Sequence, residues 1–223
     1  MIFSLPYREF KDYVLLQMQH FFPDNQNLSA NEYDTAFDMA LERTRHCFSY
    51  INLDSYHTKG EVFLNHLHAN QYAAFLWFLS NTIWAEFQNE KVANKLYCLN
   101  RALNSLSCSY AAKLPKVFLL LHIVGTVLGK AEYSDFFVAC HGCTVGAHHG
   151  QYPTIGRGVA MLPHSSVIGG CRIGSRVSLG INATVYEQDV SDNTTIYIDN
   201  QAGKTVFKRS DTPWGQHLFN VEI

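Results

Sequence analysis

The sequence contains little charge and no extended apolar run. Only 16% of its 223 residues are charged, and the formal net charge is -2. This excludes the basic surface that nucleic-acid binding requires. The most apolar stretch, Val117 to Leu128, is interrupted by His122 and is shorter than the ~20 residues that span a bilayer. The first residues also lack the basic, apolar and small-residue order of a signal peptide. We therefore expect a soluble intracellular protein without nucleic-acid or membrane partners.

The spacing of the cysteines does not indicate a disulfide framework. The six cysteines are scattered along a chain of medium size, unlike the dense spacings of small secreted domains. We expect reduced thiols and a cytoplasmic location. The cysteines are Cys47, Cys98, Cys108, Cys140, Cys143 and Cys171.

Helical patterns dominate residues 1–107, which we interpret as an N-terminal α-helical domain. Ser29 followed by Glu32 is a capping box and predicts that a helix begins there. After a turn, a second helix is expected over residues 62–87 and a third over about 90–106. The second is so apolar that we expect it to be buried. Its aromatic stripe favours core or interface packing over a ligand site: Tyr72, Phe75, Trp77, Phe78, Trp84 and Phe87.

A different repeat occupies the second half of the chain. A period of six residues fits neither a helix, at about 3.6 residues per turn, nor an alternating strand, at about two. It predicts a triangular parallel β-helix, in which aliphatic residues point inward and small residues turn the corners. The aliphatic positions are Ile155, Met161, Val167, Ile173, Leu179 and Val185, and the small ones are Val159, Ser165, Cys171, Val177 and Ala183.

The repeat is irregular before Ile155 and fades towards the C-terminus. Between Val145 and Ile155 the chain is four residues longer than one hexad, which we interpret as a loop, Ala147 to Pro153, extruded from the β-helix. Exposed irregular segments on a rigid scaffold often carry functional residues. We therefore divide the rest of the chain into a β-helix domain at 108–200 and a C-terminal tail at 201–223.

Two motifs point to a known family. They are HIVGTVLG at residues 122–129 and CTVGAHHGQYPTIGRGVAMLPHSSVIGGCRIGSRVSLGINATV at residues 143–185. The motifs resemble the hexapeptide-repeat acyltransferases, and within them the serine O-acetyltransferase branch. The resemblance implies an α+β fold in which an N-terminal helical domain precedes a left-handed parallel β-helix. It also implies a homotrimer, whose trimers can pair, with acetyl-CoA bound in the groove between neighbouring β-helices.

The resemblance assigns roles to single residues. His122 corresponds to the catalytic histidine, a general base that removes the proton of the acceptor hydroxyl as it attacks the thioester. The alternative is a structural histidine, because His122 occupies an inward position of the hexad pattern, six residues before Leu128. Gly125 and Gly129 correspond to the glycines that follow it, and Val145 begins a segment in which Ala147 replaces a second glycine. The residues expected to contact acetyl-CoA are Gly146, Ala147, Pro163, Ile181 and Lys204.

The departures from the family concern the acceptor. Leu121 replaces an acidic residue, and Ser107 falls where the family has the aspartate that orients the histidine. We expect Ser107 or a carboxylate from a neighbouring subunit to take that orienting role. Gln151 and Tyr152 replace an arginine–histidine pair in a shorter loop. For the loop histidines, a solvated loop is the alternative to contact with the acceptor. The candidate acceptor contacts are Ser107, His141, His148, His149 and Tyr152.

Other chemistries are compatible with residues near the loop. Cys140 and Cys143 have the spacing of zinc ligands, but alternate strand residues point in opposite directions, so we expect no metal. Either cysteine could also serve as a nucleophile, although nothing marks one as activated. Basic side chains could bind the CoA phosphates or form a solvated surface: Arg172, Arg176, Lys204, Lys208 and Arg209.

The sequence therefore predicts an acetyl-CoA-dependent O-acetyltransferase with His122 as general base. L-Serine is the acceptor that the family branch implies. A sugar or nucleotide-sugar of surface-polysaccharide biosynthesis is favoured by the missing carboxylates, because the ammonium group of serine needs one nearby. Transfer to the amino group of a sugar is a further alternative. A non-catalytic β-helix that serves as a binding or assembly module is the alternative from another class.

Overall fold

A computed structural model describes residues 1–26 and 28–223, which fold into two compact units. The first unit contains residues 1–49 and 53–111, and the second contains residues 50–52 and 112–223. Residues 201–223, which the sequence pattern separates as a tail, lie within the second unit.

The described part of the first unit is mainly helical. No helix in residues 1–26 and 28–223 has both the length and the apolarity that crossing a membrane requires. The helices are α1 (Tyr7–Phe21), α2 (Ala30–Ser49), α3 (Ala69–Phe87) and α4 (Glu90–Asn104), and the short strands are β1 (Ile2–Phe3), β2 (His57–Thr58), β3 (Glu61–Leu64) and β4 (Ser107–Cys108).

The predicted capping box at the start of α2 is confirmed. The Ser29 hydroxyl and backbone N–H both donate to Oε2 of Glu32, at 2.7 and 3.0 Å. The Glu32 N–H donates back to the Ser29 hydroxyl at 3.3 Å. These bonds serve backbone donors that the first helical turn cannot pair internally, and the bonds from Ser29 lower the pKa of the Glu32 carboxyl.

Helix α3 forms the core of the first unit, as its composition predicts. Trp77 and Phe78 are no more than 2% exposed, and Tyr72 is also buried. Phe75 packs edge-on against Phe37 of α2, with ring centroids 5.2 Å apart. These residues of the aromatic stripe therefore belong to the core of the first unit.

The predicted second helix is wrong at its N-terminal end. Residues Glu61–Leu64 form β3, which pairs antiparallel with β2 and in parallel with β1. The connecting residues Lys59 and Gly60 both have positive φ, which is the geometry of a two-residue hairpin turn. Helix α3 begins only at Ala69.

The second unit is a parallel β-helix, which confirms the predicted fold class. Thr154 pairs with Arg172 and Ala160 with Ser178, each 18 residues further on, so three hexads make one turn. The first face holds β7 (Glu132–Tyr133), β10 (Thr154–Ile155) and β13 (Arg172–Ile173); the second holds β5 (Phe118–Leu121), β8 (Phe137–Cys140), β11 (Ala160–Met161) and β14 (Ser178–Leu179); the third holds β6 (Val127–Leu128), β9 (Thr144–Gly146), β12 (Ser166–Ile168) and β15 (Thr184–Tyr186).

The hexad positions lie where the repeat predicts. The six aliphatic residues from Ile155 to Val185 are at most 1% exposed, and the five small residues between them are at most 3% exposed. Polar atoms at one corner bond to carbonyl groups of the coils. The Thr126 hydroxyl donates to the Cys140 carbonyl at 2.8 Å, and the Cys143 thiol lies 3.1 Å from the Leu162 carbonyl.

The end of the chain adds a hairpin to the second face. Strand β16 (Thr194–Asp199) pairs in parallel with β14 and antiparallel with β17 (Lys204–Arg209). A 3-10 helix at Trp214–Leu218 follows, and Phe219 then pairs with Ile51. The segment expected to be a C-terminal tail, residues 201–223, therefore contributes the strand β17 to this hairpin.

Candidate active site

His122 lies at an exposed corner of the β-helix. It follows β5 directly with φ of 51°, so the chain turns there instead of continuing the strand. The next residue, Ile123, points inward and is 2% exposed. The hexad pattern predicts an inward side chain at His122, six positions before Leu128. This is wrong, because the corner shortens the interval between the inward residues Ile123 and Leu128 to five positions.

A tight turn holds the backbone after His122. The Thr126 N–H donates to the Ile123 carbonyl at 3.1 Å, and Gly125 within the turn has φ of 74°. Glycine adopts this conformation without the steric cost that a side chain brings. The turn therefore explains Gly125, the first glycine of the HIVGTVLG motif.

No side chain in the described part of the second unit hydrogen-bonds to the His122 ring. Ser107, predicted to orient this ring, belongs to the first unit, where its hydroxyl lies 3.2 Å from that of Tyr97. Leu121 precedes His122 at the end of β5 and brings no charge. The orienting role of Ser107 stays a prediction.

The same corner carries two more histidines on later coils. The Gly142 N–H donates to the Val124 carbonyl and the His164 N–H to the His141 carbonyl, each at 3.0 Å. The rings of His141 and His164 meet edge to face, with centroids 5.0 Å apart. The His164 ring also covers Gly142, because a Cβ there would lie 2.2 Å from its Nδ1. One corner therefore carries histidines on three coils.

Two predicted acetyl-CoA contacts share this corner. The Asn182 N–H donates to the Pro163 carbonyl at 3.0 Å, and Ile181 precedes it. Ile181 is 58% exposed, and Val124 is 68% exposed. Val124 lies two residues after His122, whereas Ile181 lies three coils further along the same corner, after β14.

The extra residues after β9 form a short hairpin, which confirms the predicted extruded loop. His148 and Gln151 exchange both backbone hydrogen bonds, at 3.1 and 2.9 Å. The two residues between them, His149 and Gly150, have φ of 47° and 77°. Positive φ at both central residues is the geometry of a type I′ turn, so the backbone itself orders the loop.

His148 is the centre of a side-chain cluster on this loop. Its Nδ1 lies 2.8 Å from Oε1 of Glu187, and the Tyr186 hydroxyl lies 3.0 Å from each ring nitrogen. The rings of His148 and His149 have centroids 3.9 Å apart. The structure thus brings the two predicted loop histidines together and adds two residues that sequence reasoning missed.

The register of the coils shows how Tyr186 and Glu187 could have been found. Gly146, just before the loop, pairs with Ile168, and Ile168 pairs with Tyr186. The residues that follow these three positions therefore share one corner. Counting coils along the regular part of the repeat, from Ile155 to Val185, places residues 186 and 187 near the loop.

The other predicted contacts are spread over the second unit. Tyr152 is 41% exposed, and its ring lies against Gly129, where a Cβ would come within 2.9 Å of Cε1. Gly146 ends β9 and Ala147 enters the loop, whereas Lys204 begins β17 on the terminal hairpin. Lys204 thus lies on an element that carries neither the corner nor the loop histidines.

Cys140 and Cys143 are structural thiols. Burial raises the pKa of Cys140 to about 12 and also raises the pKa of Cys143, so neither is a thiolate near neutral pH. Among the residues that the structure describes, no group of three or more His, Cys, Asp or Glu side chains is placed to hold a metal ion.

Comparison with known proteins bears on the fold. No family profile and no curated protein matches the sequence, but solved structures match the fold. The serine acetyltransferase of Brucella abortus strain S19 is similar with a TM-score of 0.66 and 18% identity, over 82% of this chain and 75% of that one. The chain has the serine acetyltransferase fold.

Two further structures share this fold. The serine acetyltransferase of Neisseria gonorrhoeae in complex with serine has a TM-score of 0.63 and 20% identity, over 76% of this chain and 72% of that one. A serine acetyltransferase in complex with CoA has a TM-score of 0.56 and 15% identity, over 87% and 75%. The resemblance inferred from the repeat motifs is therefore confirmed at the level of the fold.

Proposed function

We propose that this protein transfers an acetyl group from acetyl-CoA to an acceptor hydroxyl, with His122 as general base. The observation that carries the proposal is the exposed His122 imidazole at a corner of a β-helix with the serine acetyltransferase fold. An exposed ring without a side-chain partner in the described second unit can reach an incoming hydroxyl. The neighbour solved with CoA supports a CoA thioester as the donor.

The proposed reaction is a direct transfer. Neutral His122 takes the proton of the acceptor hydroxyl while the hydroxyl oxygen attacks the carbonyl carbon of the thioester. Backbone N–H groups of the corner turns would stabilise the resulting oxyanion. The C–S bond then breaks, and the imidazolium returns its proton to the CoA thiolate. The products are an acetyl ester and CoA. Direct attack by the acceptor forms no acyl-enzyme, and burial raises the pKa of Cys140 and Cys143, the thiols considered as alternative nucleophiles.

The apolar corner beside His122 is the proposed donor site. Val124 and Ile181, at the two ends of this corner, expose most of their side chains, and a bound ligand or a neighbouring chain would cover them. We propose that the acyl arm of acetyl-CoA lies along this strip, with Pro163 on the same corner. Gly146, Ala147 and Lys204 are proposed as further contacts on the resemblance alone.

The acceptor is proposed in two classes. L-Serine is suggested by the neighbour solved with serine. A sugar or nucleotide-sugar is favoured because Leu121 and Ser107, which take the places of acidic residues of the family, offer no carboxylate for an ammonium group. The carboxylate at the loop, Glu187, is already hydrogen-bonded to His148.

We also propose that the protein is a cytoplasmic homotrimer. All six cysteines are free thiols, which suits a reducing compartment. A neighbouring β-helix would cover the apolar corner, and the donor would bind in the groove between them.

The proposal is tested by thiol release from acetyl-CoA in the presence of serine, homoserine and a panel of nucleotide-sugars. We expect release that requires one acceptor class, with acetylated product identified by mass spectrometry. An O-acetyl product labile in alkali separates hydroxyl from amine transfer. Absence of release with every acceptor would support a non-catalytic module instead.

A further inference from the structure

Strand β17 lies at the free edge of the second face. The strands of that sheet follow the order β17-β16-β14-β11-β8-β5, so one side of β17 pairs with β16 and no described strand pairs with its other side. The strand is six residues long, and all of them except Val206 are exposed. Proteins commonly shorten or cover such edges, because their unpaired backbone groups can bind another strand.

The hydrogen bonds of β16 decide which backbone groups of β17 face outward. The Ile196 carbonyl accepts from the Gly180 N–H, just after β14, at 2.7 Å, so Ile196 bonds towards β14 and not towards β17. Its cross-strand neighbour in β17 is Phe207. Because the residues of an antiparallel pair exchange either both hydrogen bonds or neither, Phe207 faces away from β16. By the alternation of the strand, the N–H and C=O groups of Thr205, Phe207 and Arg209 all point outward.

The side chains of β17 make this edge basic. Lys204 and Lys208 lie on one face of the strand, and Arg209 lies on the other. The Arg209 Nε lies 3.5 Å from Oδ1 of Asp211, but these side chains are 83% and 89% exposed, so the pair contributes little. Neither lysine has an ion-pair partner among the described residues. The edge therefore presents cationic charge to an approaching strand.

Phe207 adds an apolar contact between these charges. It is 41% exposed, although its cross-strand neighbour Ile196 is fully buried. A strand added beyond β17 would place a side chain directly beside the Phe207 ring, at the distance at which cross-strand pairs stabilise a sheet.

A second copy of this edge is a poor occupant. Pairing two β17 strands would bring the lysines and arginines of both copies to one ladder, where like charges are destabilising. Lysine on an edge strand is a common protection against such unselective pairing. The same charges favour a strand that carries carboxylates at matching positions.

We propose that the β17 edge binds an extended acidic segment of another protein as an added antiparallel strand. The outward backbone groups of Thr205, Phe207 and Arg209 supply the ladder, as in other cases where a peptide extends a sheet. Lys204 and Lys208 lie four positions apart on one face, so they select two carboxylates with the same spacing. An aliphatic residue opposite Phe207 covers the ring.

Fluorescence anisotropy with labelled peptides tests this edge. The acidic probe has the core Glu-Ile-Val-Thr-Glu, which places its isoleucine opposite Phe207 and its glutamates opposite Lys208 and Lys204. One control has the core Lys-Ile-Val-Thr-Lys. The other keeps the acidic core but N-methylates the isoleucine, which removes one ladder donor and no charge. We expect the acidic probe to bind about tenfold more tightly than either control.

Two outcomes of this assay would overturn the proposal. Equal binding of the acidic and N-methylated probes would show charge attraction without an added strand. Absence of binding by the acidic probe up to about 1 mM would show that the edge takes no such segment.

Lys208→Glu tests the charge on the protein itself. We expect the acidic probe to bind about fivefold more weakly, because one attraction becomes a repulsion at an exposed site. Lys208 is chosen because Lys204 is also a proposed contact of acetyl-CoA. Lys130→Glu, at an exposed lysine between β6 and β7, makes the same change in net charge and should bind like the wild type. Equal weakening in both variants would contradict recognition at the edge.

Amide hydrogen exchange reads the ladder residue by residue and needs no variant. In the free protein, the Val206 and Lys208 amides should exchange slowly because they face β16, whereas those of Thr205, Phe207 and Arg209 should exchange fast. The acidic probe should slow the exchange of the outward three alone. Unchanged exchange at Phe207 in the saturated complex would overturn the added strand. Slow exchange of all five amides in the free protein, lost on dilution, would assign the edge to a second copy instead.

Discussion

The close stacking of the coils predicts that Gly156→Ala destabilises the β-helix more than Gly150→Ala does. A Cβ at Gly156 would lie 2.6 Å from the carbonyl carbon and oxygen of Gly174 and 2.7 Å from the Ser175 nitrogen. All three are backbone atoms of the next coil, so no side chain can rotate away. Reaching the 3.4 Å of an ordinary contact would separate the coils locally by about 0.8 Å.

That separation has a definite energetic consequence. The hydrogen bond from the Gly156 N–H to the Ile173 carbonyl, now 2.9 Å, would lengthen beyond normal hydrogen-bond distance. Its loss costs about 1 kcal/mol, and overpacking adds about 2 kcal/mol. A total of about 3 kcal/mol corresponds to a fall in Tm of about 6–12 °C for a chain of this size.

Differential scanning calorimetry with a matched glycine variant checks this prediction. Gly150 has φ of 77°, and a Cβ there would meet nothing within 4 Å. Gly150→Ala therefore carries only the left-handed strain, about 1–2 kcal/mol. If Gly156→Ala lowers Tm no more than Gly150→Ala does, the stacking of the coils at this corner is wrong.

Two further predictions follow from shifted pKa values. Burial raises the pKa of Cys140 to about 12, so this thiol should resist iodoacetamide at pH 8 in the folded protein and react after unfolding in urea. Mass spectrometry measures the alkylation. Alkylation of Cys140 in the native state as fast as that of the partly exposed Cys98 would refute this prediction. Hydrogen bonds from Ser29 lower the pKa of the Glu32 carboxyl. The stability that these bonds contribute is therefore fully present above the carboxyl pKa of the unfolded chain, and it is lost as the pH falls through the lower pKa of the folded protein. Ser29→Ala should therefore lower Tm at pH 7, and the difference from wild type should shrink in acid; a difference that is constant from pH 7 to pH 3 would contradict this.

The sequence predicts the fold wherever one physical rule dominates. From Ile155 to Val185 each hexad has to bury one aliphatic side chain, so the period alone predicts which residues point inward. The hairpin at β2 and β3 is missed because its turn residues, Lys59 and Gly60, adopt a left-handed conformation that lysine does not suggest. Similarly, the strand β17 is missed because its stability comes from pairing with β16 and not from its own basic composition.

The candidate site is less predictable because it lies where the period is interrupted. The hexad pattern places His122 inward, whereas the corner turn exposes it. The pairing of His148 with Glu187 joins residues 39 positions apart. It depends on the exact register of three coils, which a motif comparison does not contain. The roles of Ser107, Tyr152 and Lys204 in binding remain predictions.

The acetyl-transfer rate of His122→Asn is the measurement that tests the central proposal most directly. Asparagine tolerates the left-handed conformation at this corner better than alanine does, so the variant removes the imidazole with little backbone strain. His164→Asn is the matched control, since His164 occupies the same corner with φ of 61°. We predict that kcat/KM falls by about 10²–10⁴-fold in His122→Asn, the usual contribution of a general base, and stays near wild type in His164→Asn. Wild-type activity in His122→Asn would contradict the assignment of His122 as the base.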